Sequence, residues 1–258
     1  MQTRWDTVPV DGDAMRVYVA VPDGPGPFPA VAVMQGLGGV EDTIQTLTRR
    51  LAEAGFAAAA PELYHRQTDS ISEEVRHLPP GHPDRVAKLM AKAEQMRDDE
   101  LIADGAAAIE LLRGLPEVDA GHVGVVGFCQ GGRTTYLVAS AVAGLGAVVP
   151  FYPSSLWVAR GDGPPPIERT SGITAPLLGI FGGDDRNPSP EDAERIDAEL
   201  SKHGKVHEFS HYAGAGHDFL NFRADRYREE QAAAAWELML TFLREHLRVP
   251  TTAGAGQP

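Results

Sequence analysis

Short apolar runs alternate along the chain with longer segments in which apolar residues recur at helical spacing. Runs of strand character fall at residues 15–21 (MRVYVAV), 30–34 (AVAVM), 56–60, 122–127 (HVGVVG), 146–151 (GAVVPF), 176–181 (PLLGIF) and 205–210 (KVHEFS). Between them the spacing predicts helices. Residues 41–54 place Ile44, Leu47 and Leu51 on one face and meet a stop signal at Gly55. Residues 98–113 do the same with Leu101, Ala108, Ile109 and Leu112 and end at Gly114. In 189–203, Ser189 suits the cap and Pro190 the first helical position. The last helix, about 224–247, aligns Trp236, Leu240, Leu243 and Leu247. Strand and helix taking turns in this way is the pattern of βα units, so the expected class is α/β with a mostly parallel sheet.

Two segments break the rhythm. Residues 64–97 are polar, carry Pro79-Pro80 and follow a strand end, which makes them a candidate lid or rim over a pocket. Residues 249–258 (VPTTAGAGQP) read as a disordered tail. The rest, 1–248, is expected to form a single domain without internal repeats, and 43% hydrophobic residues are enough for its core. No apolar run is long enough to cross a bilayer, and the first residues lack a basic stretch followed by an apolar one. With a single cysteine, no disulfide can form within the chain. A soluble cytoplasmic protein, monomer or homodimer, is expected. The formal net charge of −13 disfavours nucleic-acid binding through phosphates, and it means that an anionic substrate needs a locally placed cation.

The chemistry concentrates in residues 122–143, HVGVVGFCQGGRTTYLVASAVA. An apolar strand runs into Gly127-Phe128-Cys129-Gln130-Gly131, and a helix of small residues follows directly. This is the Gly-x-nucleophile-x-Gly elbow, with cysteine as nucleophile. The sharp turn exposes the side chain, the glycines let backbone pass close, and the helix N-terminus favours a thiolate. On this fold the acid and then the histidine come later in the chain. The strand PLLGIF leads into Gly182-Gly183-Asp184-Asp185, and KVHEFS leads to Gly214-Ala215-Gly216-His217. Only His217 among nine histidines has a glycine-rich loop after a strand. Strand AVAVM is followed by Gln35-Gly36-Leu37-Gly38-Gly39, similar to the oxyanion loop of esterases, so the expected oxyanion donors are the N–H groups of Leu37 and Gln130. Phe128, Tyr64, Phe151, Tyr152 and Trp157 are aromatic candidates for the pocket wall. No metal-ligand spacing is present, and no cofactor is expected.

With GFCQGG, PELYHR (61–66), GGDDRNPSP (182–190) and AGHDF (215–219) in place, the chain resembles the dienelactone hydrolase family over about residues 5–247. The resemblance implies an eight-stranded α/β-hydrolase fold with helices on both faces. It also implies hydrolysis of a small-molecule ester or lactone through a Cys-His-Asp triad, placed on Cys129, His217 and Asp185. Asp185 rather than Asp184 fits the family's spacing from Gly182. Where the family has a glutamate involved in thiol activation, this chain has Gly36, so direct activation of Cys129 by His217 is expected. Of two arginines that bind substrate carboxylate in the family, one matches Arg66; the other falls near Asn221, with Arg223 close by. A broad carboxylesterase or thioesterase, or a ligand-binding protein with a redox-reactive cysteine, are the alternatives.

Overall fold

The computed structural model describes residues 1–67, 77–79 and 82–247. The strands are β1 (Gln2–Val10), β2 (Asp13–Val21), β3 (Phe28–Met34), β4 (Ala57–Pro61), β5 (Val118–Phe128), β6 (Ala147–Phe151), β7 (Leu177–Gly182) and β8 (His207–Tyr212). They form one eight-stranded sheet in the order β1-β2-β4-β3-β5-β6-β7-β8. β1 and β2 are antiparallel to each other, β2 runs antiparallel to β4, and every pairing from β4 to β8 is parallel. The parallel strands β3, β4, β6 and β7 are buried almost end to end, which explains why they read as unbroken apolar runs.

Among the described residues six α-helices accompany the sheet: α1 (Asp42–Glu53), α2 (Pro83–Glu94), α3 (Asp98–Arg113), α4 (Gln130–Ala141), α5 (Pro190–Lys202) and α6 (Glu229–His246). Ile109, Tyr136 and Ile196 bring α3, α4 and α5 onto one face of the sheet, among Val17, Val123 and Leu177. Leu47 and Trp236 bring α1 and α6 onto the other, among Val33, Val126 and Leu178. The caps follow local chemistry. Ser189 and Asp192 form a reciprocal capping box at the start of α5. Between α3 and α4, Asp98 and Arg133 make a fully buried ion pair at 2.5 Å.

Strand order determines where a site can form. Connections from β3 and β5 leave toward opposite sides of the sheet, and the C-terminal ends of these two neighbours lie together, Met34 beside Gly127. A crevice opens at such a switch point.

Two features differ from the expectations. β1 was not among the predicted strands, although it pairs with β2 over nine positions from Gln2↔Val21 to Val10↔Asp13. It is an edge strand of exposed and half-buried residues, so it carries little apolar signal. Residues 64–97 contain a helix, α2, capped by the His82 side chain accepting from the Asp84 N–H. Its Leu89 joins Tyr64, Met96, Leu101 and Leu137 in a small apolar cluster. Residues 68–76, 80 and 81 of that segment, and the predicted tail at 249–258, lie outside the described residues.

Candidate active site

β5 ends at Phe128 and α4 begins at Gln130, leaving Cys129 alone to make the turn. Its backbone sits at φ +59°, ψ −115°. That is a conformation which non-glycine residues hold only at a cost of about 1–3 kcal/mol when their surroundings enforce it. The surroundings do enforce it. The Cys129 N–H donates to the Phe151 carbonyl at 3.1 Å, and the Cys129 carbonyl accepts from the Arg133 N–H at 3.1 Å. A methyl group on Gly127 would fall 2.2 Å from the Gly131 carbonyl oxygen, and one on Gly131 would fall 2.1 Å from that of Met34. Both contacts are with backbone and cannot yield by side-chain rotation. Gly131→Ala therefore pushes β3 and its following loop away from the elbow. We expect a loss of about 2 kcal/mol or more in stability together with a fall in activity, measured as Tm and kcat on the same preparation. An unchanged Tm would show that the elbow has slack.

His217 lies at the C-terminal end of the sheet, in the loop after β8. Its Nδ1 is 2.8 Å from Asp185 Oδ2, and the ring faces Cys129, which acts on it both as hydrogen-bond partner and as negative charge. Burial works against the charged ring. The Coulombic effect of Cys129 and the hydrogen bonds to Asp185 and Cys129 outweigh it and push the His217 pKa from 6.5 up to about 11. Asp185 is held from the other side: its Oδ1 accepts the N–H groups of Arg186 at 2.6 Å and Asn187 at 2.9 Å. The Asp185 side chain is 1% exposed, whereas Asp184 is exposed and shares its backbone N–H with the Ala215 carbonyl. Tyr152, fully buried, packs its ring edge-on against His217 at 5.1 Å and against Phe219 at 5.5 Å.

The loop after β3 crosses in front of the elbow. Tyr64 donates from its hydroxyl to the Leu37 carbonyl at 3.0 Å and so ties this loop to the end of β4. Burial, followed by the charge of Cys129, raises the Tyr64 pKa well above the usual phenol value, so it remains a donor. Gln35 points away from the chemistry: it is fully buried and its Oε1 accepts from the Leu63 N–H at 3.2 Å. A Cβ at Gly36 would start 3.3 Å from the Phe128 carbonyl oxygen, so a larger residue there needs its neighbour to give by a few tenths of an ångström.

These parts border one cavity of about 1260 Å³, lined among others by Gly36, Leu37, Phe128, Cys129, Gln130, Tyr152, Asp185 and His217. Described residues of the polar segment, among them Tyr64, Leu78 and Leu89, form part of its wall. Three expected wall residues lie elsewhere. Arg66 does not line the cavity; its guanidinium is engaged by Asp104 at 2.6 Å and Asp11 at 2.8 Å. Trp157 is also outside, packed on the core and covered by Arg195 at 4.2 Å from its ring. Phe151 belongs to the core, 4.9 Å from Phe128. Asn221 does line the cavity, donating to Asp218 at 2.9 Å, and Arg223 lines it while paired with Asp42. A cavity residue absent from the sequence reading is Arg160, whose Nη1 donates to Gln130 Oε1 at 2.7 Å. It stands in the irregular stretch between β6 and β7, where no periodicity or motif marks it. Among the described residues no group of His, Cys, Asp and Glu side chains could hold a metal ion, and no helix is long and apolar enough to cross a membrane.

Comparison with known proteins places this geometry. The model of the dienelactone hydrolase family matches residues 15–247. A Synechocystis protein named as a carboxymethylenebutenolidase is 31% identical, the match covering 96% of this chain and 98% of that protein. A Bradyrhizobium protein named as a 2-oxo-3-(5-oxofuran-2-ylidene)propanoate lactonase is 30% identical, covering 94% of each. The crystal structure of a Klebsiella pneumoniae protein named as a dienelactone hydrolase superposes with a TM-score of 0.81 at 29% identity, covering 95% of this chain and 98% of that one. An acylaminoacyl peptidase of Pyrococcus horikoshii, 15% identical with a TM-score of 0.72 and matched over 43% of its length, shares the fold alone. The fold is thus that of the α/β-hydrolases, and the chain belongs to the dienelactone hydrolase family.

Proposed function

We propose that this protein hydrolyses an ester or lactone by acyl transfer to Cys129, with His217 as base and Asp185 as its orienting acid. The observation that carries this reading is the chain of contacts from Asp185 through His217 to Cys129, at the head of an elbow whose backbone is strained to present the sulfur. The names of the two relatives, a butenolidase and a furan-derived lactonase, describe ring-ester cleavage and support the bond type.

The sulfur attacks the substrate carbonyl, and the N–H groups of Leu37 and Gln130 are the assigned donors to the oxyanion. Each such donor contributes about 3–4 kcal/mol in comparable sites. His217 gives its proton to the leaving oxygen and then activates water to cleave the thioester. Asp185, anchored by two backbone N–H groups, fixes the imidazole tautomer. Activation falls to His217 because among the described residues no carboxylate takes the place of the absent glutamate. Glu41 is bound to Arg85 at 2.5 Å, and Glu62 faces Arg16 at 4.0 Å. Tyr64, Phe128, Tyr152 and Gly36 remain proposed contacts of the substrate.

The direct test is a panel of lactones, aryl esters and thioesters, run before and after one equivalent of iodoacetamide. Stoichiometric loss of lactone and ester turnover is expected, since Cys129 is the only thiol. Turnover that survives full alkylation would overturn the assignment.

A second measurement reads the ion pair in the free enzyme. His217 should give the nitrogen NMR signature of an imidazolium at pH 8, where an ordinary histidine is neutral. In Cys129→Ala the negative charge is gone and burial dominates, so the signature should disappear. The linked stability has a definite sign. The folded state binds this proton more tightly than the unfolded one, so the contribution is complete below about 6.5 and is lost as pH rises through about 11. The stability difference between wild type and Cys129→Ala should narrow across that window. A neutral ring at pH 8 in the wild type would refute the resting pair.

A further inference from the structure

We propose that Asp218, the residue after His217, receives a hydroxyl group of the substrate on its open carboxylate oxygen, so that the enzyme prefers hydroxylated lactones and esters. This rests on the hydrolase reading above and adds to it the class of substrate and the residue that selects it.

The position comes first. Asp218 lines the same cavity as Cys129 and follows His217 directly in the chain. Its backbone lies at φ +63°, a left-handed conformation that aspartate tolerates better than most residues. The Asn221 N–H donates to its carbonyl at 3.0 Å and closes the turn. That turn also holds one carboxylate oxygen. Asn221 Oδ1 accepts from Thr43 Oγ1 at 3.3 Å and from the Arg223 N–H at 3.2 Å. The amide is thereby oriented with Nδ2 toward Asp218, and it donates to Oδ2 at 2.9 Å. Arg226 Nε lies 3.7 Å from the same oxygen.

The second oxygen is open. Among the described residues both partners of this carboxylate meet Oδ2, and none donates to Oδ1. Burial is the largest influence on the group and raises its pKa above the ordinary carboxylate value, against the Asn221 bond and the charges of His217 and Arg226. A carboxylate in such surroundings gains from a donor on its remaining oxygen. The other carboxylates of the cavity differ. Asp185 uses both oxygens, on His217 and on the N–H groups of Arg186 and Asn187. Glu41, Asp42 and Glu62 keep 35%, 56% and 36% of their side chains exposed, where water serves them, against 24% for Asp218.

Charge decides which donor fits. An anionic group on the substrate is repelled by Asp218. An ammonium group would meet two positive charges already acting on this carboxylate, those of His217 and Arg226. A hydroxyl brings a donor and no charge. It also brings discrimination, because a site built to bond a hydroxyl rejects the analogue that lacks it.

The test measures kcat/KM for α- and β-hydroxy-γ-butyrolactone and for the two matching methyl lactones, on wild type and Asp218→Asn, with circular dichroism and Tm as controls of folding. In this variant the amide oxygen can still accept from Asn221, and Nδ2 takes the place of Oδ1, so the turn is kept while the acceptor becomes a donor. The ratio of hydroxy to methyl lactone cancels any change in the common rate. Asp218→Asn should lower that ratio by about 10- to 100-fold in one of the two pairs, the worth of a hydrogen bond to a charged group. Asp218→Ala, which removes the acceptor without adding a donor, should give the same fall and serves if the amide disturbs the loop. A fall smaller than about tenfold in both pairs and both variants overturns the proposal. A parallel arm needs no turnover. In the wild type 2- or 3-hydroxycyclopentanone should protect Cys129 from iodoacetamide at about 10- to 100-fold lower concentration than the matching methyl ketone, and Asp218→Asn should abolish the difference. If lactones turn over and neither arm shows the preference, Asp218 does not select the substrate. If the ketones show it while no ester or lactone turns over, the hydroxyl subsite stands and the hydrolase reading fails.

Discussion

Replacing Cys129 by alanine should reduce kcat on the best lactone or ester by about 10⁴-fold or more, while the protein stays folded. The magnitude follows from the roles assigned. Without a nucleophile neither acyl transfer nor its general-base step remains, and only binding and oxyanion stabilisation are left. The stability half of the prediction comes from the backbone. Cys129 is half-buried and its side chain is not a core anchor, so little packing is lost. The strain at φ +59° is shared by any residue with a Cβ. Cys129→Gly removes that strain as well and should be more stable than Cys129→Ala by about 1 kcal/mol, while equally inactive. Denaturant midpoints and steady-state kinetics on the same three proteins check both halves. An alanine variant that keeps a tenth of wild-type kcat would exclude Cys129 as nucleophile.

Asp185→Asn should lower kcat by up to about 10⁴-fold, through the wrong imidazole tautomer, whereas Asp184→Asn should stay within a factor of about three, as surface substitutions do. The two residues are neighbours in sequence and differ in surroundings. Asp185 is buried and accepts from His217, Arg186 and Asn187, so its oxygens are fixed and fully used. An amide there presents an N–H group to donors that need an acceptor, and it favours the tautomer with the proton on the wrong nitrogen. Asp184 is exposed. The same pair of variants compared in the pH dependence of kcat separates a catalytic loss from a structural one, because only Asp185→Asn should displace the limb that reports His217. Equal losses in both variants would transfer the role to the loop rather than to one carboxylate.

The strands of the sheet interior were legible because burial on both faces leaves a continuous apolar run, as in β3, β4 and β7. The helices were legible for a similar reason: one face is apolar and the ends carry local signals, such as Ser189 and Pro190 at α5 and Gly114 after α3. The elbow was legible because its requirements are local. A Cβ at Gly127 or Gly131 would meet backbone at 2.2 Å or 2.1 Å, which demands glycine within a few residues of the cysteine, and this spacing survives in the linear sequence. β1 was not legible. An edge strand is specified by its partner β2, since half of its residues face solvent and no apolar run records the pairing. α2 was masked in the same way, buried only through Arg85, Leu89 and Ala93.

Side-chain partners at long range divide the two kinds of knowledge most clearly. The sequence by itself determined the α/β class, the order of elements, and the loops that carry Cys129, Asp185 and His217, because each depends on periodicity or on contacts between near neighbours. Only the tertiary structure decided that Arg66 turns to Asp104 and Asp11, 38 and 55 positions away, and leaves the cavity. It alone decided that Trp157 is covered by Arg195, and that Arg160 enters the cavity wall beside Gln130, 30 positions distant in the chain. A guanidinium or indole on a flexible stem goes where a distant acceptor or packing surface lies. That partner is brought near by the strand order of the sheet, and nothing in the residues around the side chain records it.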